Sequence, residues 1–357
     1  MRMKKRRKKL ILLFCLCLAL LGAGCGTGPT IKSHTITQID GREIQVPVDP
    51  RRIAAVYGPA YEAMVVLGAE DRVVVCADVQ FENFPWAKKI FKRIGKLPYL
   101  VNVHSSVSTE SLLQYQPDLV FTFARPNELR QLETAKVAAV PGLTSQSLDD
   151  VKAQLMVYAQ ALGGDAVHAA QRYADYFDKK RAMVKAVTDA IPREERPRVY
   201  YAGVDLLTTY GKYSDICELI EDAGGIAVSG GLAAGNRTQI NFEQLAAWNP
   251  DYIFVDHGGM NDRNTVEQVL KATYQTKRYQ AIHAVANRQV YLSPSGVFYW
   301  DMGLQKILLL LYMAKILYPQ EFASLNMAQE VQEFYRDFYH YDLTDEEAER
   351  ILNRQDP

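Results

Sequence analysis

The chain has 357 residues, 48% of them apolar and 23% charged, an ordinary globular composition with length for two domains. Its formal charge is zero, but residues 1–24 hold seven of the 41 Lys and Arg and none of the 41 acids, so the remainder carries a net charge of −7. An acidic body of this kind argues against a nucleic-acid partner.

Residues 1–9 are strongly basic, and 10–21 form an apolar run too short to span a bilayer comfortably. Gly22, Ala23 and Gly24 then precede Cys25, with Gly26-Thr27-Gly28-Pro29 after it. The pattern resembles a bacterial lipoprotein signal, in which the cysteine is lipidated and becomes the mature N-terminus; Gly22 stands where such signals usually carry leucine. Residues 1–24 are thus expected to be removed and 25–33 to form a flexible linker. The body is expected to be exported and lipid-anchored through Cys25, on the periplasmic face where the cell has an outer membrane. Cys76 and Cys217, one in each half of the mature body, read as buried thiols. There is no Cys-x-x-Cys pair and no zinc-finger spacing.

Further along, the alternation over 34–48 about Asp40-Gly41 predicts a β-hairpin. A strand at 53–56, a helix at 60–67 stopped by Gly68 and a strand at 73–76 make a parallel βαβ unit. Residues 78–103 read as an aromatic-rich loop, and 148–162 as a helix ended by Gly163-Gly164. Residues 165–191 have no interior Gly or Pro and carry an apolar face of Val167, Ala170, Tyr173, Tyr176, Phe177, Met183, Val184 and Val187. At 1.5 Å per residue this helix is about 40 Å long, more than one lobe needs, and reads as a rigid connector. A second α/β lobe opens with the strand at 199–202. An apolar helix spans 302–317, and 327–357 reads as an amphipathic helical tail on the surface.

One phrase occurs twice. Residues 110–121 read Glu-Ser-Leu-Leu-Gln-Tyr-Gln-Pro-Asp-Leu-Val-Phe, and 243–254 read Glu-Gln-Leu-Ala-Ala-Trp-Asn-Pro-Asp-Tyr-Ile-Phe. Glu110 and Glu243 sit near a helix start, where the macrodipole favours a carboxylate. Each helix stops at the residue before proline, Gln116 or Asn249. A buried strand follows. A helix, a break and a core strand, once per half, predict two lobes of one α/β architecture: residues 34–164, the connector 165–191, and 192–357 with its tail.

These features resemble the helical-backbone family of ABC-transporter substrate-binding proteins, of the iron-siderophore, haem and cobalamin type. The marks are Asp40-Gly41-Arg42 with Val46-Pro47, Tyr61-Glu62 with Leu67-Gly68, both Glu…Pro-Asp phrases, Ala223-Gly224-Gly225, Arg288-Gln289-Val290-Tyr291 and Tyr318-Pro319-Gln320-Glu321-Phe322. The resemblance covers residues 35–341. It implies two Rossmann-like lobes with parallel-type sheets joined by one long backbone helix, little hinge closure, and a ligand held between the lobes. It also implies that Glu110 and Glu243 dock to arginines of the permease, in a monomeric receptor without catalytic activity or cofactor.

Ligands in open α/β sheets lie beyond the carboxyl ends of the strands. That rule selects Tyr57, Trp86 and Arg125 in the first lobe, and Tyr210, Lys212, Tyr213, His257, Tyr299 and Trp300 in the second. Aromatic walls with a few cations suit an anionic metal chelate. A ferric siderophore or other iron complex is the leading expectation, with haem, a corrinoid or an oxyanion such as molybdate as alternatives and His257 a possible axial ligand. The Asp256-His257 loop leaves an exported metal-dependent hydrolase as the rival class. No Gly-x-Ser-x-Gly or His-Glu-x-x-His motif supports it.

Overall fold

The computed structural model describes residues 32–77, 84–143, 145–203, 206–233, 235, 237–256 and 266–357; Cys25 and His257 lie outside them. Ser33–Thr37 (β1) and Glu43–Pro47 (β2) form the expected two-stranded sheet. Gly41, at φ +83°, supplies the left-handed turn between them.

The first lobe then runs through Ile53–Ala55 (β3), Gly58–Val66 (α1), Val73–Ala77 (β4), Pro85–Ile90 (α2), Tyr99–Leu100 (β5), Thr109–Leu113 (α3), Leu119–Phe123 (β6), Pro126–Thr134 (α4) and Ala138–Gly142 (β7). Its five strands pair in the order β5-β4-β3-β6-β7, all parallel. The stretch expected as loop contains α2 and β5. Pro85 opens α2 in the first turn, where its missing N–H costs nothing.

Leu148–Leu162 (α5) leads into the connector, Asp165–Thr188 (α6). Its 24 residues span about 36 Å. The helix stops at Thr188, whose carbonyl accepts from Arg196 Nη2 at 2.9 Å while its hydroxyl donates to Asp222 O at 2.8 Å. The buried stripe is Ala166, Ala169, Ala170, Tyr173, Tyr176, Phe177, Lys180, Val184 and Thr188. Val167 and Met183, expected inside, face solvent. Lys180 takes an inner place because Glu330 and Glu333 receive its ammonium group.

The second lobe comprises Arg198–Ala202 (β8), Thr208–Thr209 (β9), Asp215–Asp222 (α7), Ile226–Ala227 (β10), Thr238–Gln239 (β11), Phe242–Trp248 (α8), Tyr252–Val255 (β12), Val266–Gln275 (α9), His283–Ala286 (α10) and Val290–Leu292 (β13). Strands β8, β12, β13 and β10 are parallel, and β9 and β11 add an antiparallel edge. Lys306–Leu317 (α11), Met327–Tyr339 (α12) and Asp345–Leu352 (α13) complete the chain. Cys76 and Cys217 are buried free thiols.

The repeated phrase folds the same way twice. The second short helix ends on left-handed Asn249 at φ +39°, whereas the first stops earlier than expected, at Leu113, with left-handed Gln116 at φ +47° following before its proline. The following aspartate ties the neighbouring strand: Asp118 accepts from Arg51 N at 2.8 Å and Arg52 N at 3.0 Å, and Asp251 accepts from Arg198 N at 2.8 Å. The side chain of that arginine returns to the helix end. Arg52 Nη2 donates to Tyr115 O at 2.6 Å, and Arg198 Nη2 to Trp248 O at 2.9 Å.

The tail is core rather than surface. Val331, Phe334, Tyr335, Phe338 and Tyr339 recur at helical spacing and are all buried. Phe338 meets Tyr173 and Tyr176 of α6 at 5.5 and 5.1 Å, and Tyr339 meets Phe91 of the first lobe at 5.2 Å. At this junction Glu62 of α1, with no exposed surface, accepts from Tyr339 Oη and from Leu304 N at 3.3 Å. Residue 303 must be glycine there, since φ is +76° and a Cβ would strike Glu62 Oε2. Burial pushes the Glu62 carboxyl up to about 7, with Tyr339, Leu304 and Gln305 pulling the other way.

The folded state therefore holds this proton more tightly than the unfolded chain does. The stability it contributes is complete below pH 4.5 and lost as pH rises through about 7. Relative to Glu62→Gln, the wild-type chain should lose up to about 3 kcal/mol of unfolding free energy between pH 5 and 8, measured by urea denaturation. A difference that stays flat over that range would mean that the carboxyl titrates normally.

Candidate functional site

Each sheet reverses its strand order at one point, and Tyr57, Arg125 and Tyr210 lie near those points. In the first lobe the reversal falls between β3 and β6, leaving a crevice at their carboxyl ends. Tyr57 and Arg125 stand there as N-cap residues of α1 and α4, each followed closely by the proline that starts its helix. Tyr57 packs on Phe123 at 5.1 Å and meets the hydroxyl of Tyr158. A Cβ at Gly142 would overlap the Tyr57 hydroxyl, so the small residue makes this seat possible. Burial raises the Tyr57 phenol to about 12.

Arg125 lies with its guanidinium carbon 4.2 Å from the Phe123 ring centre. Nη1 donates to Glu128 Oε1 at 3.0 Å and Nη2 to His104 O at 2.6 Å. The side chain remains 26% exposed. Burial, then the Arg125 charge, holds the His104 imidazole below its usual pKa.

In the second lobe the reversal falls between β8 and β12. Asp256, the residue after β12, has no exposed surface. Its Oδ2 accepts from Tyr210 Oη at 2.9 Å and from Arg237 Nη2 at 3.4 Å, and Arg237 Nε reaches Tyr210 Oη at 3.3 Å. Tyr201 Oη and Ser293 Oγ lie 2.7 Å apart beside them. Burial, reinforced by Asp301 and Asp256, drives the Tyr210 phenol well above its usual value. Burial works against the Arg237 charge, but Tyr210, Asp256 and Asp301 outweigh it and raise its pKa. The Arg237 side chain stays 38% exposed.

Aromatic rings join the two crevices. Phe84 of the first lobe meets Phe298 at 5.2 Å and Tyr299 at 4.8 Å, both edge-on. Tyr299 also feels the charges of Arg354, Asp301, Asp256 and Arg237, and burial raises its phenol to about 12. Lys212 and Tyr213 are exposed on a neighbouring loop that is tied to Leu232 O and Gly235 O.

Trp86 and Trp300 are placed differently from the expectation. They are 2% and 0% exposed and offer no face to a cleft. The Trp86 indole N–H donates to Gln355 O at 2.8 Å, and Trp300 packs edge-on against Tyr312 at 6.4 Å. Sequence reasoning missed Arg237, Asp301 and Arg354. Only the glycines before Arg237 hinted at a loop there, and nothing local marked Arg354. Glu110 and Glu243 are both exposed at the second position of their short helices. Since each helix runs back into the start of its strand, both stand towards the strand-end side of their lobes.

The periplasmic binding protein family matches residues 53–296. The molybdate-binding protein MolA of Haemophilus influenzae is 27% identical over 303 residues, spanning 74% of this chain and 81% of MolA. The structure of MolA bound to molybdate superposes with TM-score 0.74 at 20% identity, over 87% of this chain and 99% of that one. Helicobacter pylori CeuE, in a nickel–histidine complex, gives 0.73 at 18% identity over 90% and 99%. A protein of Saccharomonospora viridis described as an ABC-type Fe3+-hydroxamate transport system gives 0.63 at 18% over 79% and 98%. With two lobes on one long helix, the chain belongs to the periplasmic binding proteins of ABC transporters, in the helical-backbone class.

Proposed function

We propose that this substrate-binding protein captures a compact oxyanion of the molybdate class between its lobes and presents it to the permease of an ABC importer. The observation that carries this reading is a partly exposed guanidinium at each crevice, Arg125 in one lobe and Arg237 in the other. Each is accompanied by a buried phenol that shapes the wall beside it, Tyr57 held against Tyr158 or Tyr210 donating to Asp256. Guanidinium donors match a small anion rimmed with oxygens. The rings that would stack a flat macrocycle are occupied with one another at the Phe84–Phe298–Tyr299 seam, which weighs against haem or a corrinoid. The name of the relative MolA points the same way. An iron chelate is the second reading, supported by the hydroxamate-transport neighbour.

In this reading Lys212 and Tyr213 edge the opening, Glu110 and Glu243 dock to the permease, and lipidated Cys25 holds the receptor at the membrane. No catalytic step is assigned to it.

Thermal melting should separate the two ligands. Sodium molybdate at about 100 times its dissociation constant should add about 2.7 kcal/mol of stability and raise Tm. A rise with ferric siderophores and none with molybdate would move the assignment to the iron chelate. Glu110→Lys combined with Glu243→Lys should abolish uptake in cells while leaving ligand affinity unchanged by titration. If affinity fell as well, the two carboxylates would have a structural task rather than a docking one.

A further inference from the structure

Helix α4 uses the glutamate of its first turn in a way its sequence does not announce. Arg125 is the N-cap, Pro126 the first helical residue and Glu128 the third. A glutamate at that third position ordinarily reaches back to the backbone N–H of the N-cap residue. Here that N–H is already engaged, since Arg125 N donates to Phe123 O at 2.9 Å. The carboxylate turns to two other donors instead. Its Oε1 accepts from Val107 N at 3.0 Å and from Arg125 Nη1 at 3.0 Å.

Both bonds bear on one guanidinium. The loop that Glu128 fastens at Val107 also supplies His104 O, which receives Arg125 Nη2 at 2.6 Å. Glu128 therefore holds the arginine once directly and once through the loop. One face of the guanidinium lies 4.2 Å from the Phe123 ring centre, and the His104 ring meets the same phenyl edge-on at 5.7 Å. Two of the five guanidinium N–H groups are engaged and one face is covered, yet the side chain keeps 26% of its surface. The second lobe repeats the pairing of arginine with carboxylate, where Arg237 Nη2 donates to Asp256 Oδ2 at 3.4 Å.

A carboxylate in a first helical turn is also favoured by the macrodipole, and an ion pair on an open surface contributes little. Glu128, however, is only 12% exposed and shares its oxygen between the arginine and a backbone amide. Resting on the oxyanion reading above, we propose that Glu128 is a positioning residue for ligand capture, holding the Arg125 guanidinium in the orientation that meets the anion. Charge alone predicts the opposite sign: a carboxylate this near repels an incoming anion, so its removal would tighten binding. Orientation predicts weaker binding, because a freed arginine must be ordered again by each ligand.

The test is a double-mutant cycle of Glu128→Ala and Arg125→Ala, read by calorimetric titration of the full chain with sodium molybdate. Glu128→Ala should weaken binding about tenfold when Arg125 is present and less than about twofold when residue 125 is alanine. Glu128→Gln keeps an acceptor for the Val107 amide, so it should hold Tm near the wild-type value and recover part of the affinity. If Glu128→Ala fails to fold, the cycle is run with Glu128→Gln, and a loss confined to the Arg125 background again decides for positioning.

Equal losses in both backgrounds would overturn the assignment and make Glu128 a brace of the Val107 loop. Unchanged binding would overturn it too, and tighter binding would make the carboxylate a competing counter-ion. Each of these leaves the oxyanion reading standing. A wild-type chain that does not bind molybdate, or that binds it equally well as Arg125→Ala, would overturn the oxyanion reading and this inference with it.

Discussion

A carboxylate buried where the lobes meet must be given its hydrogen bonds by the groups around it, and at Glu62 those groups come from far along the chain. Its residue belongs to the first helix of the first lobe, while its donors are the Leu304 amide and the Tyr339 hydroxyl. Leaving such a group unsatisfied costs on the order of 1–3 kcal/mol, more when it is charged. The chain ahead of α11 and the end of α12 are therefore fixed against α1 in one arrangement. Neighbouring bonds extend the constraint. Tyr173 of the connector donates to Leu304 O at 2.8 Å, and Tyr335 donates to Gln305 Oε1 at 2.8 Å. Rings of α6 and α12 pack around these bonds and make the seam part of the core. A site held in this way loses little conformational freedom on binding, which favours affinity for a small ligand with few contacts to offer.

The duplication was legible because its determinants are local. Proline two residues before the strand cannot continue a helix wherever it occurs, and Gln116 and Asn249 both take the left-handed conformation ahead of it. The aspartate beside each proline then finds the same backbone amides in both lobes, through Arg52 and Arg198. The connector was equally plain, since 24 residues without Gly or Pro admit little else. Its inner face was less so. Val167 and Met183 look apolar in isolation, but the partner stripe lies some 150 residues away in α12, and that stripe selects Lys180 with Glu330 and Glu333 instead. The tail was read as surface for the same reason: its charges are visible in the sequence, whereas the surface that covers its aromatics is not.

The site was legible to the level of the strand ends and no further. Tyr57, Arg125 and Tyr210 follow directly from a strand end or a helix cap, and topology alone puts them near a crevice. Trp86 and Trp300 satisfy the same rule and are nevertheless core, because a position in a loop does not determine which way a ring turns. Arg237 escaped notice because its role depends on Asp256 and Tyr210, which it meets only through the pairing of β11 with β9 and of β12 with β8.

The rigidity of the seam bears on how an importer would read such a receptor. Bilobed binding proteins that close around a ligand display a different outline when loaded. Here the Glu62 bonds and the α6–α12 aromatics tie the lobes together, and a receptor that stays in this arrangement would keep the proposed docking carboxylates, Glu110 and Glu243, at one spacing. A ligand shifts an equilibrium only by its differential affinity for the two states. If both states carry the same pair of carboxylates at the same distance, docking strength alone says little about occupancy. Under the oxyanion reading, discrimination would arise at the opening of the site, where an entering anion would change the charge balance among Arg125, Arg237 and their acidic neighbours. On that reading the information the permease needs would lie in electrostatics at the seam rather than in the movement of the lobes.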